Sequence, residues 1–462
     1  MQKTDDELHD LPRTLTLFDA TMINIGSMIG SGIFIVPAAI ALHVHSTVLM
    51  VAVWLLGGIV SMCGALSIAE LGAMMPRAGG QFVYLREAYG SLVGFLYGWS
   101  LFIVIQTAAI AAVAVGVASY VAYFIPMERA ALKGVAIGSI LLLTIINAYA
   151  TRLGALVQNF FTLLKIAALA AIVITGFGFG GGGFANFEPI MPSLHASDLI
   201  RVFSIGMIAV LWSYDGWIEV TYVAGEVRHP QRNIHRSLLL STLVVIVFYV
   251  LVNLAFLSVL GLERVAHSSL VASDAATVIH GDIGAGIVAA TVAISMFGAN
   301  KSGVFTGARV YYAMAREGLF VRALGTIDKR RATPLVSLAI QCAWSCLLIF
   351  SGTYEELITY IIFASWVFYA LSCGAVMLLR RRKPEAIRPY RTWGYPITTL
   401  VFIVFALALP ASTIIESPKD AAIGAAMILS GLPAYWWWKL GSVSSPSPTH
   451  QQHERAAEQD KI

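Results

Sequence analysis

Long apolar stretches separated by short polar punctuation set the pattern of this chain from residue 16 to residue 440. A helix takes about 20 mostly apolar residues to cross a hydrocarbon core. Runs of that kind occur at 16–42, 47–74, 90–125, 132–150, 154–178, 199–224, 237–261, 277–315, 333–351, 355–379, 394–415 and 420–440. They predict an all-α polytopic membrane protein with twelve transmembrane helices, and the short connections leave no room for a separate soluble domain. Residues 1–14 are polar, with Asp5, Asp6, Glu7 and Asp10, and do not read as a secretory leader. The stretch 441–462 is polar and rich in Pro and Ser and is expected to be a disordered tail.

Composition narrows the classes. Of 462 residues, 58% are hydrophobic and 12% charged. Soluble domains carry roughly 25% charged residues, so a soluble enzyme is excluded, and the apolar content excludes disorder for most of the chain. A net charge of +4 without a basic stripe gives no support for a nucleic-acid partner. Cys63, Cys342, Cys346 and Cys373 sit inside apolar runs and read as small buried hydrophobes. No HExxH, no GxSxG with plausible partners and no Cys/His cluster is present, so neither an enzyme, a metal nor a cofactor is expected. A channel would need a repeated filter-like loop or charged rings, and none is visible.

Lys and Arg set the orientation. With the amino terminus inside, Arg77, Arg86, Arg152, Arg228, Arg232, Arg236, Arg316, Arg322, Arg380, Arg381, Arg382, Arg388 and Arg391 all fall on the inner side. Only Arg129, Lys133, Arg201, Arg264 and Lys419 fall outside. Both termini are therefore expected to be cytoplasmic.

Two runs carry helix-breaking residues. The first contains Gly26-Ser27-Met28-Ile29-Gly30-Ser31-Gly32, and glycine weakens a helix by about 1 kcal/mol relative to alanine. Close packing of small residues is the alternative explanation. The sixth contains Ser213-Tyr214-Asp215-Gly216-Trp217, five runs later and so in the opposite orientation. Paired breaks in two inverted halves point to a transport site at the bilayer midplane. Amides at a half-helix start suit a carboxylate, here at Gly30, Ser31 and Gly32. Free carbonyls at Met28, Trp212 and Asp215 suit an ammonium. Together they predict a zwitterionic, amino acid substrate. Trp212 and Trp217, beside Ser213, are candidates for a lid or for ordinary packing.

At these residues the sequence resembles the amino acid–polyamine–organocation superfamily, and within it the L-type amino acid transporter branch. The resemblance rests on GSMIGSGIF (Gly26–Phe34), AELGAMMPRAGGQFVYLREAYG (Ala69–Gly90), LWSYDGW (Leu211–Trp217), GEVRHPQRNIHRSL (Gly225–Leu238), TGARVYYAMAREG (Thr306–Gly318) and ILSGLPAYWW (Ile428–Trp437), in order along the chain. It implies a 5+5 inverted-repeat (LeuT-like) fold with discontinuous helices 1 and 6. The repeats would span 15–179 and 198–380, with 394–440 appended. It implies a sodium-independent exchanger of neutral, and also cationic, amino acids working by alternating access. The alternatives are a proton-coupled symporter and a polyamine carrier. It places the substrate carboxylate on Gly30, Ser31 and Gly32, the ammonium on Met28, Trp212 and Asp215, and the aromatic gate at Trp212.

Charges inside the runs complete the reading. Lys165 is central in the fifth run, where a lysine is expensive. The resemblance makes it a substitute for a sodium ion, bound to carbonyls of the first helix; loss of its proton would permit proton coupling. Asp215 either caps the break or selects the substrate, by attracting a cationic side chain or the ammonium of a neutral one. Lys301 either pairs with Asp215 or points away from the pathway. Further intramembrane carboxylates are not expected, which counts against a polyamine carrier. Glu70 and Glu226 read as ion pairs near Arg77 and Arg228 at the inner mouth. His43 and His45 read as solvated loop residues. Relatives joined to a glycoprotein partner carry a cysteine in the connection that here reads Pro126–Ala130. No disulfide-linked heavy chain is therefore expected, and the resemblance points to a bacterial inner-membrane protein.

Overall fold

The computed structural model describes residues 11–149, 151–179, 184–191, 196–268, 270–328, 330–350 and 354–443. The expected tail lies outside the described residues beyond Val443, as do residues 1–10. Among the described residues there are helices and no strands, with two isolated bridges, Leu15 to Val227 and Asp328 to Thr333. The α-helices are α1 (Leu17–Met28), α2 (Gly32–Val44), α3 (Thr47–Met74), α4 (Gln81–Tyr89), α5 (Ser91–Ser100), α6 (Gln106–Phe124), α7 (Arg129–Tyr149) and α8 (Thr151–Phe179). They continue as α9 (Ala196–Ser213), α10 (Pro230–His267), α11 (Val271–Arg316), α12 (Leu335–Leu348), α13 (Tyr354–Arg382), α14 (Ile397–Glu416), α15 (Pro418–Leu429) and α16 (Gly431–Val443).

Local chemistry sets the boundaries. Thr16 and Asp19 close a capping box that starts α1, and the Ser46 side chain accepts from the Leu49 amide to start α3. Pro230 opens α10, where its missing N–H costs nothing. Gly261 interrupts α10 at φ +75°, where the seventh apolar run was expected to end. Gly281 does the same in α11 at φ +68°. Between α5 and α6 lies a π-helical turn, Leu101–Ile105. Its carbonyls are met by side chains: Tyr311 donates to Leu101, Thr107 to Phe102 and Trp344 to Ile103.

Among the described residues, eight helices are long and apolar enough to cross a membrane, and α1 with α2, bent by 42°, reads as a ninth. Three further runs of the twelve expected are interrupted or short. Run 199–224 gives α9 and then, past a turn, the 3-10 helix Glu219–Glu226. Run 333–351 gives α12, of 14 residues, and 420–440 is divided between α15 and α16 at Ser430.

The outside of this bundle is apolar. Leu142 and Ile145 on α7, Phe160 and Ile174 on α8, and Val404 and Leu407 on α14 are all half-exposed or more. In water this surface would drive aggregation; lipid accepts it. The polar side chains go inward instead: Asn24, Glu70, Lys165, Glu226, Lys301 and Arg309 are buried. At the centre α10 packs against α1, α2, α3, α8 and α11, and so holds both broken segments.

Candidate functional site

The first break is a three-residue gap. Helix α1 ends at Met28, Ile29 leaves helical geometry at ψ 84°, and α2 starts at Gly32. The second break follows Ser213: Gly216 takes φ +100° and the chain resumes at Glu219 as a 3-10 helix. The two breaks touch. A Cβ on Gly32 would lie 2.7 Å from Ser213 Oγ and 2.9 Å from Ser213 Cα. A Cβ on Gly216 would lie 2.9 Å from the Ser27 carbonyl carbon. Only glycine permits this approach, and at Gly216 the left-handed backbone asks for it as well. Tyr249 on α10 ties the ends together, with its hydroxyl 2.7 Å from the Met28 carbonyl and 3.1 Å from that of Ser213.

A cavity of about 140 Å³ lies at this meeting point. Met28, Gly30, Ser31, Gly32, Trp212, Ser213 and Asp215 line it, so all but one of the residues expected to form the substrate pocket are brought together. Gln106 from α6 and Asn300 from α11 join them. A helix start leaves its first amides without an intrahelical acceptor; in α2 the ladder begins with Phe34 and Ile35, which donate to the Ser31 carbonyl at 3.0 and 3.2 Å. Ahead of it, Gly30 donates backwards to the Met28 carbonyl at 2.9 Å. The carbonyls are less free than the sequence suggested: Met28 accepts from Gly30 and Tyr249, and Trp212 accepts from the Asp215 amide at 3.0 Å. A carbonyl has two lone pairs, so room for one further donor remains at Trp212.

Trp217 stands apart. It is fully buried, with its ring 5.6 Å from those of Tyr369 and Phe402, and does not line the cavity. The turn at Gly216 sends it into the packing, so the lid reading falls to Trp212.

Lys165 reaches from α8 to the first break. Its ammonium donates to the Gly26 and Ile29 carbonyls, each at 2.7 Å. Both acceptors belong to the end of α1, where orphan carbonyls carry partial negative charge. Lys301 is directed elsewhere: it donates to the Gly154 carbonyl and lies 4.7 Å from the Phe305 ring centroid. Of its two expected positions, the one facing away from Asp215 is the one found.

Glu70 and Glu226 form the expected ion pairs, with partners other than the nearby Arg77 and Arg228. Glu226 pairs with Arg309 of α11 at 2.8 Å, both side chains fully buried. Glu70 pairs with Arg380 at 2.6 Å and Arg388 at 3.3 Å. Sequence proximity suggested the neighbours in each motif; the fold supplies arginines from distant helices. His43 and His45 are exposed as expected. Cys63, Cys342 and Cys373 are buried and Cys346 partly so; all four are free thiols.

Among the described residues, the one charged cavity residue that escapes the sequence reading is Glu219. It lines the cavity, contrary to the expectation of no further intramembrane carboxylate. Ser27 and Thr306 both donate to its Oε2, each at 2.8 Å. The signal was available: a carboxylate four residues after Asp215, inside an apolar run. Tyr249 gave no such signal, because a tyrosine in an apolar helix has an ordinary packing explanation.

Broken helices meeting at a cavity lined by two carboxylates, within a bundle that is apolar outside, are the arrangement of a membrane transport protein. The chain matches the family described as amino acid permease over residues 15–437 and belongs to it, within the amino acid–polyamine–organocation superfamily. It is 30% identical to the b(0,+)-type amino acid transporter 1 of Mus musculus, over 97% of this chain and 94% of that protein. It is 31% identical to the serine/threonine exchanger SteT of Bacillus subtilis, over 95% of this chain and 99% of that protein. It is 32% identical to the large neutral amino acids transporter small subunit 2 of Mus musculus, over 92% of this chain and 81% of that protein. This is a multi-pass membrane protein of amino acid transport, a transporter and not an enzyme.

Proposed function

We propose that the protein is a sodium-independent amino acid exchanger that works by alternating access. The observation that carries this reading is the Lys165 ammonium, bonded to the Gly26 and Ile29 carbonyls at the first break. A fixed positive charge already satisfies the acceptors that a sodium ion would otherwise serve. The substrate carboxylate sits on the amides of Ser31 and Gly32, with Gly30 giving the backbone close access. Its ammonium faces the carbonyls of Met28 and Trp212 and the Asp215 side chain, and Trp212 with Ser213 forms the gate.

In this reading the chain makes twelve spans with both termini cytoplasmic. Residues 15–179 and 198–380 are inverted repeats, 394–440 adds two spans, and 1–14 and 441–462 are cytoplasmic segments. The breaks after Met28 and Ser213 support the repeat, since each falls in the first span of its half. The protein works in a bacterial inner membrane without a disulfide-linked partner; the absence of cysteine from Pro126–Ala130 supports the latter.

Proteoliposome uptake tests the mode. Radiolabelled amino acid should enter vesicles preloaded with unlabelled amino acid, at equal rates in sodium and in choline. Uptake that collapses in choline sinks the sodium-independent reading. Uptake into empty vesicles driven by a pH gradient makes the protein a symporter instead.

A further inference from the structure

Two carboxylates line the cavity, and each is anchored by neutral donors. Asp215 Oδ1 accepts from the Tyr369 hydroxyl at 2.6 Å and from the Gly216 amide at 2.9 Å. Glu219 Oε2 accepts from Ser27 and Thr306, and the Ser302 hydroxyl also bonds the Glu219 carboxylate. Both residues are partly exposed, and the exposure is to the cavity they line. A carboxylate anchored by neutral donors is held in place and still able to receive a charged one.

The charge balance asks for such a donor. Among the described residues lining the cavity there is no Lys, Arg or His. The buried cations are turned elsewhere: Lys165 to the Gly26 and Ile29 carbonyls, Lys301 to the Gly154 carbonyl and Arg309 to Glu226. A zwitterionic amino acid brings one ammonium to the two carboxylates and leaves the second without a direct ion-pair partner in a low-dielectric site, which is costly. A substrate with one further cationic group supplies that partner. Resting on the amino acid transport reading, we propose that Glu219 is a specificity-determining residue and that the preferred substrate is a basic amino acid. Its side-chain ammonium or guanidinium pairs with Glu219, while its α-ammonium faces Asp215 and the helix-break carbonyls. The amides at the start of α2 take the α-carboxylate, which separates this substrate from a simple diamine.

The test uses the full-length protein in proteoliposomes, with lysine, arginine, serine and leucine as substrates and putrescine as competitor. The wild type should favour lysine or arginine over serine in kcat/KM by at least about tenfold, the discrimination expected for one desolvated charge-assisted pair. Glu219→Gln keeps an acceptor for Ser27 and Thr306 but removes the charge. It should cut the lysine-to-serine ratio of kcat/KM at least about tenfold, chiefly through KM for lysine, and Glu219→Asp should recover part of it. A ratio unchanged in Glu219→Gln overturns the proposal. So does a variant that loses pH-gradient-driven uptake with the ratio intact, because Glu219 would then carry a proton. Putrescine competing as well as lysine also overturns it, since the carboxylate would not be read.

If Glu219→Gln does not fold, the melting temperature of the wild type decides: lysine should raise it more than serine, and equal shifts overturn the proposal. Uptake of serine or leucine but not of lysine or arginine defeats this proposal alone. Uptake of no amino acid defeats the transport reading and this proposal with it.

Discussion

At the scale of single residues, two buried lysines of the same chain do different things. Lys165 bonds two carbonyls from the end of α1, so its charge holds the break. Lys165→Ala should lose most or all amino acid uptake while the purified protein still melts cooperatively; wild-type uptake rates would refute its role. Lys301 bonds one carbonyl of α8 and covers the Phe305 ring. It does not line the cavity. Lys301→Met is therefore expected to leave the range of amino acids carried unchanged, and an uptake panel that shifts toward or away from basic substrates would contradict this placement. Nothing local in the sequence separates these two lysines, since both sit in apolar runs; the partner helix decides, and partners are non-local.

At the scale of elements, the contrast between neighbouring glycines is sharp. Gly32 has the Ser213 backbone against it, whereas no atom lies within 4 Å of a Cβ built on Gly30. Gly32→Ala should cost about 1–3 kcal/mol by overpacking, read as a lower melting temperature with reduced uptake. Gly30→Ala should melt as the wild type does, yet raise KM, because its methyl enters the cavity. The helix-level pattern was largely legible beforehand: 47–74 and 90–125 match α3 and the α5–α6 span, and the two breaks fall at the glycine-rich motifs. Glycines and apolar length are local signals, so they survive in the sequence. What did not survive is which side of a break each aromatic takes. Trp212 and Trp217 are five residues apart, and the φ of Gly216 alone sends the second into the core. The ion pairs of Glu70 and Glu226 form as expected, but their partners were not legible, the arginines being more than 80 residues away along the chain.

At the scale of the whole molecule, polar groups gather inside and at the rims while the belt is apolar. Among the described residues the exposed ion pairs are Arg86 with Glu317 and Lys383 with Glu87, and such pairs are weak. Lys383 of the α13 end donates to Glu87 of α4, and that bond holds the Glu87 carboxyl below its ordinary range. With the folded value below the unfolded one, the stabilisation is present above the unfolded value and fades as pH falls through the folded one. Both side chains are substantially exposed, 48% and 34%, so screening keeps the contribution under about 1 kcal/mol. Lys383→Met should lower the melting temperature slightly near neutral pH and not at all in acid strong enough to protonate Glu87; a larger loss in acid would be the wrong sign.

The contact between the two breaks has a mechanical consequence. Gly32 meets Ser213 Cα and Oγ, and Gly216 meets the carbonyl carbon and Cβ of Ser27, so glycine main chain faces a serine on each side with only a short side chain as a cushion. A joint of that kind has no slack in compression. The start of α2 and the turn after α9 cannot move closer together, though more than 180 residues separate them along the chain. A push on either half-helix end toward the other is passed on directly, so a probe fixed to one reports a displacement driven from the other.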